Sequence, residues 1–277
     1  MLNLLRSDIY KIFKRMSFYI CLLVSVAVAG YGAWTFEETV KNMYKQQFGG
    51  YASLYGLDFD SMTAKDLGIT AWAVLNQSVP FALTMSAIFI TIFLGAEFNS
   101  GMCKSVILRG KGKVSYYFSK LVSLMIVPII YTVVMCGVNF GVGAYKFQGV
   151  DWNNEYIDAY FIPLGWFMLV AFTWVSLLCM ICFLCRSSGF SMAINLGLLT
   201  KVVPFAIIAF VTYVSKQWFN VTSIRYDEYW FGNYDSLFLS GQGSSGDEMM
   251  KYVYTLCGWF FVPIIIGALC FKKREIK

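Results

Sequence analysis

Eight cysteines, one lysine buried in an apolar stretch and one glutamate- and lysine-bearing connection are the residues of this chain that could do chemistry; histidine is absent. Without histidine there is no Ser-His-Asp triad, no HExxH zinc site and no imidazole pH switch. Cys179-x-x-Cys182-x-x-Cys185 has metal-like spacing. It lies among Leu, Met, Ile and Phe with no fourth ligand near, so packing by small apolar side chains is the better account. Lys201 lies inside an uncharged run, just before Pro204. A lysine at mid-bilayer costs about 2.5–3.5 kcal/mol on insertion scales. It therefore needs a protein interface, a wet cavity or an anionic partner. Either it lines a translocation path, or it snorkels or bonds to carbonyls freed by Pro204. Asn76, Gln77, Asn139 and Asn195 are uncharged candidates for the same wet surface or for hydrogen bonds between helices.

The elements that must position these residues are apolar helices. The 277 residues are 58% hydrophobic and 14% charged, against about 25% charged in a soluble domain. A hydrocarbon core of roughly 30 Å takes about 20 helical residues. Uncharged runs of that length cover residues 16–36, 67–96, 121–145, 159–185 and 252–271, and 187–215 is interrupted only by Lys201. The expected fold is an all-α bundle of six transmembrane helices forming a single domain, 1–277. The first run is too long for a signal-peptide core.

Lys and Arg set the orientation. Residues 1–15, 97–120, 186 and 272–277 together hold fourteen Lys/Arg and three Asp/Glu. The other three loops hold seven and thirteen. The basic side is expected in the cytoplasm with both termini, and the net charge of +6 reports topology, not nucleic-acid binding. Seven cysteines lie in spans and Cys103 in a cytoplasmic loop, so no disulfide framework is implied.

Residues 2–15 pattern as an amphipathic helix, with Leu2, Leu5, Ile9 and Ile12 on one side and Arg6, Lys11, Lys14 and Arg15 on the other. Such a helix is expected in the membrane interface, or serves simply as a positive-inside anchor. The external loops are 37–66, with Gly49-Gly50 in its middle, 146–158 and 216–251. Thr63–Asp66 fits a capping box opening span two. Asp58-Phe-Asp60 lacks the glycine and distal glutamate of a calcium loop. Pro80, Pro128, Pro163, Pro204 and Pro263 fall one to a span from the second onward; static kinks and hinges both fit. Gly137-x-x-x-Gly141 matches a close-packing motif.

The connection from Glu97 to Lys120 is too long for a tight turn. Phe98, Met102 and Val106 recur at i, i+4, i+8 and give a short helix an apolar edge, amid Lys104, Arg109, Lys111 and Lys113. By composition alone this is a positive-inside loop. Glu97-x-x-x-Gly101-x-x-Lys104, the basic turn Arg109–Lys113 and Lys120 resemble the ABC transporter type-2 permeases, and so does the ending Phe271-Lys-Lys-Arg-Glu-Ile276. The six spans and the N-terminal helix are similar too.

The resemblance implies that Glu97, Phe98, Gly101, Met102, Lys104, Val106 and Arg109 belong to a cytoplasmic coupling helix. That helix would dock on a separate ATP-binding cassette ATPase, with the N-terminal helix against the same subunit. It also implies a second permease copy or paralogue, with the substrate path between the two. The chain has no Gly-x-x-x-x-Gly-Lys-Ser/Thr loop. It is therefore expected to be no enzyme and to bind no cofactor; ATP and Mg belong to the partner.

The expected function is permease subunit of an exporter in the cytoplasmic membrane of a bacterium. The aromatic-rich wall suits an amphipathic or hydrophobic cargo, a peptide or a drug. The other classes fit less well. An ion-driven secondary transporter needs intramembrane carboxylates or unwound ion sites, and no Asp or Glu lies in a span. An intramembrane enzyme needs a catalytic constellation that is missing.

Overall fold

The computed structural model describes residues 2–55, 79–108, 112–146, 155–185, 187–219, 230–231 and 246–273. Among these residues the chain is helical and has no strand. Ten helices follow in order: α1 (Leu2–Lys14), α2 (Met16–Tyr55), α3 (Val79–Asn99), α4 (Met102–Leu108), α5 (Lys113–Leu124), α6 (Ile126–Lys146), α7 (Glu155–Cys185), α8 (Ser188–Leu199), α9 (Val202–Phe219) and α10 (Gly246–Lys273). Among the described residues five helical stretches are long and apolar enough to cross a membrane, or six if the bent pair α8/α9 counts as one.

Prolines mark two of the breaks. Pro128 has no N–H for the Leu124 carbonyl, and the helix is interrupted between Leu124 and Ile126. Pro204 leaves the Thr200 carbonyl without its usual partner, and α8 meets α9 there at 69°. Pro263 is carried inside α10 without interrupting it. Sequence and structure differ most in α2. It does not end near Phe36 but continues through Gly49-Gly50 to Tyr55, 40 residues in all. Glu37 and Lys41 pair at i, i+4 with 3.0 Å between charges, and the Thr35 and Thr39 hydroxyls bond back to carbonyls one turn earlier. The ion pair adds a few tenths of a kcal/mol to the helix beyond its apolar part.

Contacting helix pairs that run parallel include α2/α6, α7/α10 and α3/α7, the last joined by Phe98 on Phe183 at one end and Leu83 beside Phe167 toward the other. Along α2 and α6, the Tyr131 hydroxyl donates to the Phe18 carbonyl at 2.8 Å, and the Lys146 ammonium donates to the Trp34 carbonyl near the other end. Along α7 and α10, Phe183 meets Phe271 edge to face with centroids 4.9 Å apart, and Trp166 shares a groove with Val253. α3 runs against α2: Phe89 meets Phe18, and Phe93 meets Arg15. One end of the bundle, here the basal end, therefore collects α1, the end of α3, α4, the start of α5 and the ends of α7 and α10.

Trp230 and Phe231 are buried against Trp174 and Trp259. Trp174 is nine residues above Phe183 and Trp259 twelve above Phe271, so these aromatics sit about 14–18 Å from the basal end at 1.5 Å per residue. Trp230 and Phe231, between α9 and α10 in sequence, thus lie at about mid-depth of the bundle.

Candidate functional site

The basal end holds a cluster of buried charge. Lys120, on α5, is fully buried, and its ammonium lies 2.6 Å from Asp8 Oδ1 and 2.6 Å from Glu97 Oε2. Asp8 is 2% exposed and Glu97 1%. The remaining lone pairs are satisfied: Ser119 Oγ donates to Asp8 Oδ2 at 2.9 Å, and the Tyr116 hydroxyl donates to Glu97 Oε2 at 2.8 Å. Lys11 closes the rim, 3.9 Å from Asp8 and 3.7 Å from Glu97, and also donates to Met102 Sδ at 3.1 Å. Two acids and two lysines balance, as a buried group of ions must.

The cluster ties three elements together. Asp8 and Lys11 come from α1, Glu97 from the last turn of α3, and Tyr116, Ser119 and Lys120 from α5. A wall of rings surrounds it. The Lys120 ammonium is 5.1 Å from the Phe93 ring and 5.4 Å from the Tyr116 ring, while Arg15 covers Phe93 at 4.6 Å. Phe98, Tyr116, Tyr117 and Phe271 all pack on Phe183.

The arrangement changes the reading of α1. Part of its apolar side packs on the bundle. Ile12 is buried, and Asp8 falls on the same face, three residues after Leu5 and four before Ile12, turned to α5. Asn3, Arg6, Ser7, Tyr10, Phe13 and Lys14 face outward. Patterning by apolar residues passed over Asp8. The signal was there: it is the one acid among four basic residues in the first fifteen, and it lies on the apolar side.

The connection is a real short helix. Gly101 takes φ 67°, a left-handed value that glycine adopts without cost, and turns the chain from α3 into α4. Within the connection, Glu97 is buried, Phe98, Gly101, Met102 and Val106 are half-buried, and Lys104 is exposed. Phe98 and Val106 pack on the core, and Cys103 is within it. Leu108, which the apolar spacing did not single out, is 85% exposed. Arg109 and the basic turn at 109–111 lie outside the described residues, as do Asn76, Gln77, Arg186, Thr63–Asp66 and 274–277.

The polar residues inside the spans occupy separate settings. Asn195 is buried and donates to Thr91 Oγ1 at 2.9 Å and to Cys182 Sγ at 3.5 Å, joining α8 to α3 and α7. An Asn195→Val change is expected to lower unfolding free energy by about 0.6–1.7 kcal/mol, measured by denaturation in micelles; a loss above about 3 kcal/mol would contradict so modest a role. Asn139 is buried on the face of α6 that carries Tyr131 and Met135. Lys201 is half-buried at the α8/α9 break with φ 62°, in the position after a helix end that glycine usually takes. Beside it Val202 and Phe205 point outward. Cys179 and Cys182 are core residues. Among the described residues nothing outside its own helix turn lies within 4 Å of a Cβ built on Gly137 or Gly141, so this GxxxG pair makes no close helix contact among them.

No protein-family model matches this sequence, and no curated protein matches it.

Proposed function

We propose that this chain is the membrane-spanning subunit of an ABC exporter of the type-2 permease class, driven by a separate ATPase subunit that docks on the basal end. One observation supports the reading most. The two segments that resemble the family, Glu97–Lys120 and the ending at Phe271, are far apart in sequence yet meet at one end of the bundle. Glu97 bonds to Lys120 and Tyr116, and Phe271 lies 6.2 Å from the Tyr116 ring. The N-terminal helix joins them through Asp8. A force applied to α4 or α1 would reach α3 and α5 through a rigid, fully paired cluster.

The parallel pairing of α7 and α10 supports six crossings. Two neighbouring helices that run the same way need a return path between them, and α8/α9 is the apolar segment available for it. With the basic ends inside, both termini are cytoplasmic. In this reading a second copy or paralogue completes the path, the cargo is an amphipathic peptide or hydrophobic drug, and ATP and Mg sit on the ATPase.

The test is Leu108→Asp. Leu108 is exposed on α4, so the change leaves the bundle folded. Affinity for the ATPase subunit is expected to fall by about 2 kcal/mol, roughly thirtyfold, in co-purification from the membrane, with ATP-driven transport lost in parallel. Retained capture would remove α4 from the interface. Cargo movement in proteoliposomes by the chain alone, without ATP, would overturn the exporter reading.

A further inference from the structure

The parallel helices α7 and α10 enclose a cavity of about 210 Å³ toward the end away from the charge cluster. Trp166, Leu169 and Phe172 line it from α7, and Leu256, Cys257 and Phe261 from α10. The hydroxyl on its wall, Thr173 Oγ1, already donates to the Leu169 carbonyl at 2.9 Å. The cavity opens outward, where Leu169 is 47% and Phe261 56% exposed. Its lining falls within the apolar stretches Leu164–Cys185 and Met250–Lys273. Its mouth therefore faces hydrocarbon rather than water.

Size and chemistry narrow the occupant. Sites for drug-sized molecules run to roughly 300–1,000 Å³ and carry a few polar groups that fix orientation. This slot is smaller and has no such group to offer, so neither a peptide nor a precisely registered protein partner is specified by it. Left empty, its walls would lack dispersion partners on one side. We propose that the slot seats one acyl chain of a bilayer phospholipid, in the leaflet farther from the charge cluster. A hydrocarbon tail needs no hydrogen bond, is narrow, and is the medium at the mouth. The site stands independently of the exporter reading.

The experiment places the photoreactive residue p-benzoylphenylalanine at Phe261, and in a separate chain at Ile207 on α9. Ile207 is 55% exposed but does not line the slot. Each full-length chain is reconstituted in phosphatidylglycerol nanodiscs, returned to detergent, washed, irradiated and weighed intact. A phospholipid adduct is expected at Phe261 in roughly tenfold higher yield than at Ile207, the difference made by about 1.4 kcal/mol of retention. Leu169→Trp, which fills the slot, is expected to abolish the excess. Equal yields at the two positions would overturn the site, whether or not the filled variant folds. So would a covalent dimer in place of the lipid adduct, which would assign the slot to a second copy, or an adduct that survives Leu169→Trp in a folded chain.

Discussion

Replacing Lys120 with Met is expected to cost about 3–5 kcal/mol of folding stability, the usual penalty for removing one partner of a buried ion group. That is a large share of the roughly 5–15 kcal/mol that holds a typical domain together. The ammonium lies 2.6 Å from both Asp8 and Glu97. Its removal leaves two buried carboxylates facing one hole. Lys11, 3.7–3.9 Å from the acids at the rim, supplies one positive charge and so cannot balance both.

The loss should appear as a lowered unfolding midpoint in micelles and as faster proteolysis within α1, which Asp8 and Lys11 hold to the bundle. A triple change, Lys120→Met with Asp8→Asn and Glu97→Gln, is expected to recover most of the stability, since the neutral side chains leave no uncompensated charge in the buried centre and Lys11, at the rim, keeps access to water. A triple variant no more stable than the single one would show that the cluster acts by shape and not by charge balance.

The second large effect is at Gly267 on α10. A Cβ built there would lie 2.4 Å from the Tyr117 hydroxyl oxygen and 2.8 Å from the ring carbon that bears it. Tyr117 is fully buried among Phe118, Phe183 and the core and cannot swing away. Gly267→Ala is therefore expected to cost about 1–3 kcal/mol by overpacking, and Gly267→Leu more. The same hydroxyl has no hydrogen-bond partner among the described residues, so Tyr117→Phe should be neutral or stabilising by about 1–3 kcal/mol, the cost of a buried unsatisfied group. Combining the two changes tests the contact itself. Tyr117→Phe is expected to reduce the cost of Gly267→Ala measurably, because the nearest atom is gone. Strict additivity would place the damage elsewhere.

The apolar helices were legible in the sequence because lipid leaves few choices: length and charge alone mark them. The helix in the connection was legible from the spacing of Phe98, Met102 and Val106, and Glu97 and Lys120 from a resemblance. What pairs with them was not. Asp8 and Lys120 are separated by 112 positions, and no local rule brings them together. The continuation of α2 was hidden by Gly49-Gly50, which marks a turn in isolation; local ion pairing and back-bonded threonines precede it here. The break at Lys201 was half legible. Pro204 announces a missing bond, but the site of the left-handed residue follows from how the end of α8 is closed, not from residue type, since lysine is a poor choice for φ 62°.

At 1.5 Å per residue, the 40 residues of α2 make a rod of about 60 Å, twice the thickness of a roughly 30 Å hydrocarbon core. Its foot is beside Arg15, which is pinned over Phe93 at the basal end. A tilt of only about 5° about that foot would swing the far tip by about 5 Å, the rise of a helical turn. A small change of angle where α2 leaves the basal end is thus magnified by the length of the helix into a large displacement at its far tip.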